Sequence, residues 1–196
     1  SLALGLLYSQ LGDLYREYYD FPKSLVAYEK AGVCYGEISK ERHRLYAMLD
    51  QAYVFRTMGQ IGECFQKLLK VRKEAEYLQD SYLLCSVLGD LLMHYVKEDC
   101  IEEAETSFEE LKSQFGLGNK TAAFWGCVSR LHAAKNNETE ALQALEQGWK
   151  LTKIPNDSVI LYCDAAKVYA HFKQPEKAYH CVVKATTLQN SLVQES

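Results

Sequence analysis

Pairs of small residues, each flanked by apolar residues at helical spacing, recur five times along this chain of 196 residues. The first copy reads Tyr8-x-x-Leu11-Gly12-x-x-Tyr15, then Ser24-x-x-x-Tyr28-x-x-Ala31. A small residue on each of two consecutive helices lets antiparallel backbones come close, and the aromatics fill the gaps between one hairpin and the next. A single hairpin of this kind cannot bury its own apolar face, so copies have to stack.

The second copy is Met48-x-x-Gln51-Ala52-x-x-Phe55, then Cys64-x-x-x-Leu68-x-x-Val71. The third is Cys85-x-x-Leu88-Gly89-x-x-Leu92, then Ala104-x-x-x-Phe108-x-x-Leu111. The fourth is Trp125-x-x-Val128-Ser129-x-x-His132, then Ala141-x-x-x-Leu145-x-x-Gly148. The fifth is Tyr162-x-x-Ala165-Ala166-x-x-Tyr169, then Ala178-x-x-x-Val182-x-x-Ala185. Every small position holds Gly, Ala, Ser or Cys. The periodicity predicts ten helices near 2–19, 22–39, 43–58, 61–79, 81–97, 100–114, 121–135, 138–152, 157–172 and 175–193, with no strand. Asp99–Glu102 and Asn137–Glu140 read as capping boxes, Phe115–Asn119 as a helix end and loop, and Pro155–Ser158 as a turn leading to an N-cap. Pro22 and Pro175 read as first-turn prolines.

The motif resembles the tetratricopeptide repeat, whose first helix carries an aromatic, Leu-Gly and Tyr, and whose second carries Ala-x-x-x-Phe-x-x-Ala. The resemblance implies an all-α, right-handed solenoid of antiparallel helix pairs, one array over 1–196 with repeats at about 5–44, 45–81, 82–121, 122–158 and 159–196. First-helix anchors at Tyr8, Met48, Cys85, Trp125 and Tyr162 lie 37 or 40 residues apart rather than the usual 34, which predicts longer second helices. In the family the first helices line a concave groove. That places Asp13, Tyr53, Asp90, Arg130 and Lys167 in one row of it, with Arg16 and Arg56 one turn on. Family members that clamp carboxylate tails use Lys and Asn in the first repeats; Ser9 and Asp13 stand at the corresponding places here, and Asp13 would repel a carboxylate.

No H-E-x-x-H, G-x-x-x-x-G-K, G-x-S-x-G or G-x-G-x-x-G motif occurs, and no carboxylate pair is spaced for acid–base work. The chain reads as a non-enzyme, without catalytic residues, metal or cofactor. The seven cysteines are odd in number and form no C-x-x-C pair, so they read as small apolar helix residues in a reducing, intracellular compartment, the cytoplasm. Asn119, Asn137 and Asn156 begin N-x-S/T triplets read as incidental. His132 replaces a repeat Tyr and reads as half-buried; His94 and His171 read as solvated residues near first-helix ends. The net charge of −4 disfavours nucleic acid as a partner, and no apolar run is long enough for membrane insertion; Leu2–Leu7 lacks the basic flank of a signal peptide.

Function is therefore predicted to be protein–protein interaction, as a scaffold or adaptor binding a peptide or helical segment of a partner in the groove. Arg130 and Lys167 are the expected contacts for an acidic segment, unless they pair with carboxylates of the chain itself such as Asp164. The alternative is an assembly subunit. Helix 2–19 carries Leu2, Leu4, Leu6, Leu7, Leu11 and Leu14 on more than one face, which suits a homo-oligomer or neighbouring repeats.

Overall fold

The computed structural model describes residues 1–118, 120–152 and 155–194. Among them are ten helices and no strand: α1 (Leu2–Glu17), α2 (Phe21–Gly36), α3 (Glu41–Thr57), α4 (Ile61–Tyr77), α5 (Ser81–Lys97), α6 (Ile101–Phe115), α7 (Ala122–Ala134), α8 (Glu138–Leu151), α9 (Pro155–His171) and α10 (Pro175–Gln194). The chain divides into two compact units, Ser1–Leu91 and Leu92–Ser196, the division falling within α5.

One turn design ends most of the helices. At the end of α1, Tyr19 takes a left-handed conformation (φ 59°); its N–H donates to the Arg16 carbonyl at 3.0 Å, and the N–H of Asp20 donates to the Tyr15 carbonyl at 2.8 Å. This is a Schellman ending, and it satisfies carbonyls the helix itself leaves unpaired. Asp20 is at once the last residue of that motif and the N-cap of α2, its carboxylate accepting from the Lys23 N–H at 3.3 Å. The same backbone bond recurs from Lys40 to Tyr35, Gln60 to Phe55, Asp80 to Ala75, Cys100 to Tyr95, Asn137 to His132 and Gln174 to Tyr169.

The left-handed residues Tyr19, Ser39, Gly59, Gln79 and Asp99 follow one another at intervals of 20. This accounts for the repeat of 40. The extra length does not go into the second helices: α1 and α2 have 16 residues each, α3 and α4 have 17 each, and α5 and α6 have 17 and 15.

Three local readings are corrected. Asp99 is the left-handed end of the preceding turn rather than a cap, and Cys100, the N-cap of α6, makes no side-chain cap bond. Asn137 is the N-cap of α8 but its side chain makes no cap bond either. Helix α9 already begins at Pro155, so Asn156–Ser158 lies within its first turn. Asn119 lies outside the described residues.

Packing follows the repeat. In the first unit Tyr28 is fully buried, and its ring lies over Gly12, where a Cβ would come within 2.5 Å of ring carbon Cε1. Tyr35 covers Gly5 in the same way, and its hydroxyl meets Ser9 Oγ at 3.1 Å. Leu45, Val54, Leu68, Val71 and Leu83 complete the interior of this unit. Each fully buried Leu or Val contributes on the order of 1.5–3 kcal/mol relative to exposure. In the second unit Leu145, Leu161, Ala165, Val168 and Cys181 form one core, with Trp149, Tyr162 and Tyr169 packed against it. In α1 only Gly5 and Gly12 are buried, whereas Leu2, Leu4, Leu6, Leu7 and Leu14 are 41–52% exposed.

Candidate functional site

Five of the seven groove residues lie in the first unit, where side chains of α1, α3 and α5 meet. Asp13 accepts from the Tyr28 hydroxyl at 2.7 Å and from Arg16 Nη2 at 2.9 Å. The guanidinium of Arg16 lies 5.2 Å from the centroid of the Tyr53 ring, and that of Arg56 lies 5.3 Å from it. Arg56 donates to Asp90 at 3.3 Å. Tyr53, 46% exposed, is therefore an aromatic surface flanked by two cations, Arg16 held by Asp13 of its own helix and Arg56 held by Asp90 of α5. Such guanidinium–ring contacts are worth about 0.5–1 kcal/mol each where exposed.

Asp50 belongs to this group, although the repeat motif gave no reason to select it. It stands three residues before Tyr53 on α3, hence on the same face. Burial raises its carboxyl to about 6, the charges of Asp13 and Asp90 push the same way, and Arg16 opposes them. The Asp90 carboxyl is also raised by burial, with Arg56 pulling it down. Burial and the bond to Asp13 both raise the Tyr28 hydroxyl, which stays protonated as a donor.

The other two residues lie in the second unit. Arg130, on α7, is an ion-pair partner of Asp164 at 3.6 Å, and its Nη2 donates to the Val96 carbonyl at 3.2 Å. Asp164 is buried, which raises its carboxyl, while Arg130 and Lys167 lower it. Gly126 makes room for it: a Cβ there would stand 2.4 Å from Asp164 Oδ2. Lys167 is exposed on α9. Arg130 is thus committed within the chain, the outcome that the sequence left open as the alternative to an acidic-segment contact.

Among the histidines, His132 is half-buried against the Phe108 ring, 5.8 Å between centroids, and burial lowers it. His171 is exposed and bonded to Asn136 at 2.9 Å, whereas His94 is buried rather than solvated. Among the described residues no group of three His, Cys, Asp or Glu side chains could hold a metal ion, and no helix is long and apolar enough to cross a membrane. Two clefts lie beside first-helix motif residues of their helix pairs. One of about 560 Å³ opens beside Met48, Phe55 and Lys67, and another of about 460 Å³ beside Trp149, Tyr162 and Tyr169. Their recurrence at the motif aromatics marks them as a by-product of the repeat.

No family model and no curated protein matches the sequence. Solved structures do. A kinesin light chain TPR-like repeat protein of Podosopora anserina is 16% identical, covers 94% of this chain and 94% of its own, and superposes with a TM-score of 0.61. BtubC (BKLC) from P. vanneervenii is 19% identical over 96% of this chain and 82% of its own, with a TM-score of 0.64. The MamA protein is 13% identical over 97% and 94%, with a TM-score of 0.52. At such identities the likeness speaks for fold, and it agrees with the paired small residues and the stacked helix pairs: the chain has the fold of the tetratricopeptide-like repeat proteins.

Proposed function

We propose that the chain is a non-catalytic protein–protein interaction module, and that it binds a segment of a protein partner on the face where α1, α3 and α5 meet. The observation that carries this reading is the exposed Tyr53 ring with the guanidiniums of Arg16 and Arg56 beside it, themselves anchored by Asp13 and Asp90. An aromatic ring that is both exposed and held in place loses little freedom when a partner covers it, which favours binding. Arg130 and Lys167 belong to the second unit, where Arg130 already serves Asp164. The test is capture from cytosolic extract by the wild-type chain and by a folded Tyr53→Ala, Arg56→Ala double variant. Loss of the captured set in the variant supports the reading; undiminished capture rejects it.

A second reading rests on α1, whose exposed Leu4, Leu7 and Leu14 suit assembly through this helix. Light scattering on the wild type and on Leu7→Glu separates the two, since a monomer at all concentrations leaves only the first.

A further inference from the structure

Resting on the interaction reading above, we propose that Asp50 seats a lysine or arginine side chain of the partner's segment. The repeat itself supplies the argument. Asp50 stands two residues before the small Ala52, and Asp164 stands two residues before the small Ala166, so the two carboxylates occupy the same repeat position. In the second unit that carboxylate is met by Arg130, which follows the small Ser129 of the preceding first helix. In the first unit the residue following the corresponding Gly12 is Asp13. The carboxylate that receives a guanidinium in one unit thus faces another carboxylate in the other.

The nearby cations do not make good the difference. Arg16 is bonded to Asp13 and Arg56 to Asp90, and among the described residues Asp50 has neither a hydrogen bond nor an ion pair. Three carboxylates against two guanidiniums leave this face one negative charge in excess. A partially buried carboxylate with like charges beside it gains more from an incoming cation than an open surface carboxylate does, because less water screens the pair. The exposed Tyr53 ring, one helical turn away, offers a bed for the aliphatic stem of Lys or Arg while the charged end reaches Asp50. An acidic segment would instead meet Asp13, Asp50 and Asp90 together.

The test uses four pools of fluorescent peptides with random flanks, their central residue fixed as Lys, Arg, norleucine or Glu, titrated against the full chain by polarisation. The Lys and Arg pools should bind about tenfold more tightly than the norleucine and Glu pools, a difference of the size a single well-placed charge pair produces. Asp50→Asn, checked by circular dichroism for an unchanged fold, should erase that preference and leave the norleucine pool where it was. As a second variant, Asp13→Arg supplies in the first unit the cation that Arg130 supplies in the second, and it should also suppress Lys and Arg binding. Pools that bind without preferring a cation, or with a preference that survives Asp50→Asn, overturn this inference and leave the interaction reading standing. Failure of every pool to bind overturns both.

Discussion

Ser24 Oγ donates to the carbonyl of Gly12 at 2.8 Å, joining the two small residues of the first copy across the α1–α2 crossing. Both are buried, and the Tyr28 ring closes over Gly12 from the next turn of α2. The small residues therefore serve two ends: backbone approach, and a floor for the ring. Gly12→Ala places a methyl about 2.5 Å from ring carbons that have nowhere to go and should destabilise the chain by ~1–3 kcal/mol. Gly32→Ala is the control. It lies inside α2 with nothing within 4 Å of a Cβ, and should stabilise by ~0.5–1 kcal/mol through helix propensity alone. Urea unfolding of both variants measures the pair; equal effects would mean that the crossing is not close.

The helix ends give a second expectation. Gln79 and Lys173 are exposed, left-handed residues at Schellman endings, with φ of 52° and 56°. A side chain there costs about 1–2 kcal/mol, of which glycine returns a part as unfolded-state entropy. Gln79→Gly and Lys173→Gly should each stabilise by ~0.5–1 kcal/mol. Thermal melts of the single and double variants check this, and additivity is expected because the two sites lie in different units.

These turns also explain what the sequence conceals. Helix existence and pairing were legible, since small residues and apolar spacing are set by packing between helices. The turns were less so: of the five residues at the regular interval of 20, only Gly59 is a glycine, the others being Tyr19, Ser39, Gln79 and Asp99. Backbone bonds to Tyr15, Tyr35, Phe55 and Tyr95 carry the turn, and these leave no mark on the turn residue itself. At the candidate site the repeat position pointed to Asp13, Tyr53 and Asp90. It passed over Asp50 because Gln10 and Val87 fill that place in the neighbouring copies, and only Asp164 shares its chemistry.

Arg130 should behave as a structural residue. Arg130→Ala strips Asp164 of its ion-pair partner while Gly126 and the surrounding helices keep the carboxylate buried. Uncompensated buried charge of this kind costs ~2–4 kcal/mol. Lys167→Ala, at an exposed position, should cost less than about 0.5 kcal/mol. The two are to be compared by chemical denaturation near pH 7. Adding Asp164→Asn to Arg130→Ala should restore much of the loss, and a double variant no better than the single would show that the pair is not coupled.

The Asp50 carboxyl, raised from 3.8 to about 6 by burial and by Asp13 and Asp90, makes stability depend on pH with a definite sign. The folded chain prefers the protonated acid, while the unfolded chain ionises near the ordinary value. The stabilising contribution is therefore complete below about pH 4 and is lost as pH rises through about 6. The loss amounts to ~1–2 kcal/mol once solvent screening of a partly exposed group is allowed for. Asp50→Asn mimics the protonated side chain at every pH. It should match the wild type near pH 4 and exceed its stability near pH 7 by that amount, measured as the difference between the two urea midpoints across the range. Asp90 and Asp164 are raised by burial too, with arginines opposing, and they remain in both proteins. Asp164 cancels from the difference, whereas Asp90 interacts with Asp50, so the difference reports the Asp50 charge together with its coupling to Asp90. A gap between variant and wild type that stays constant with pH would show that Asp50 ionises as an ordinary surface carboxylate.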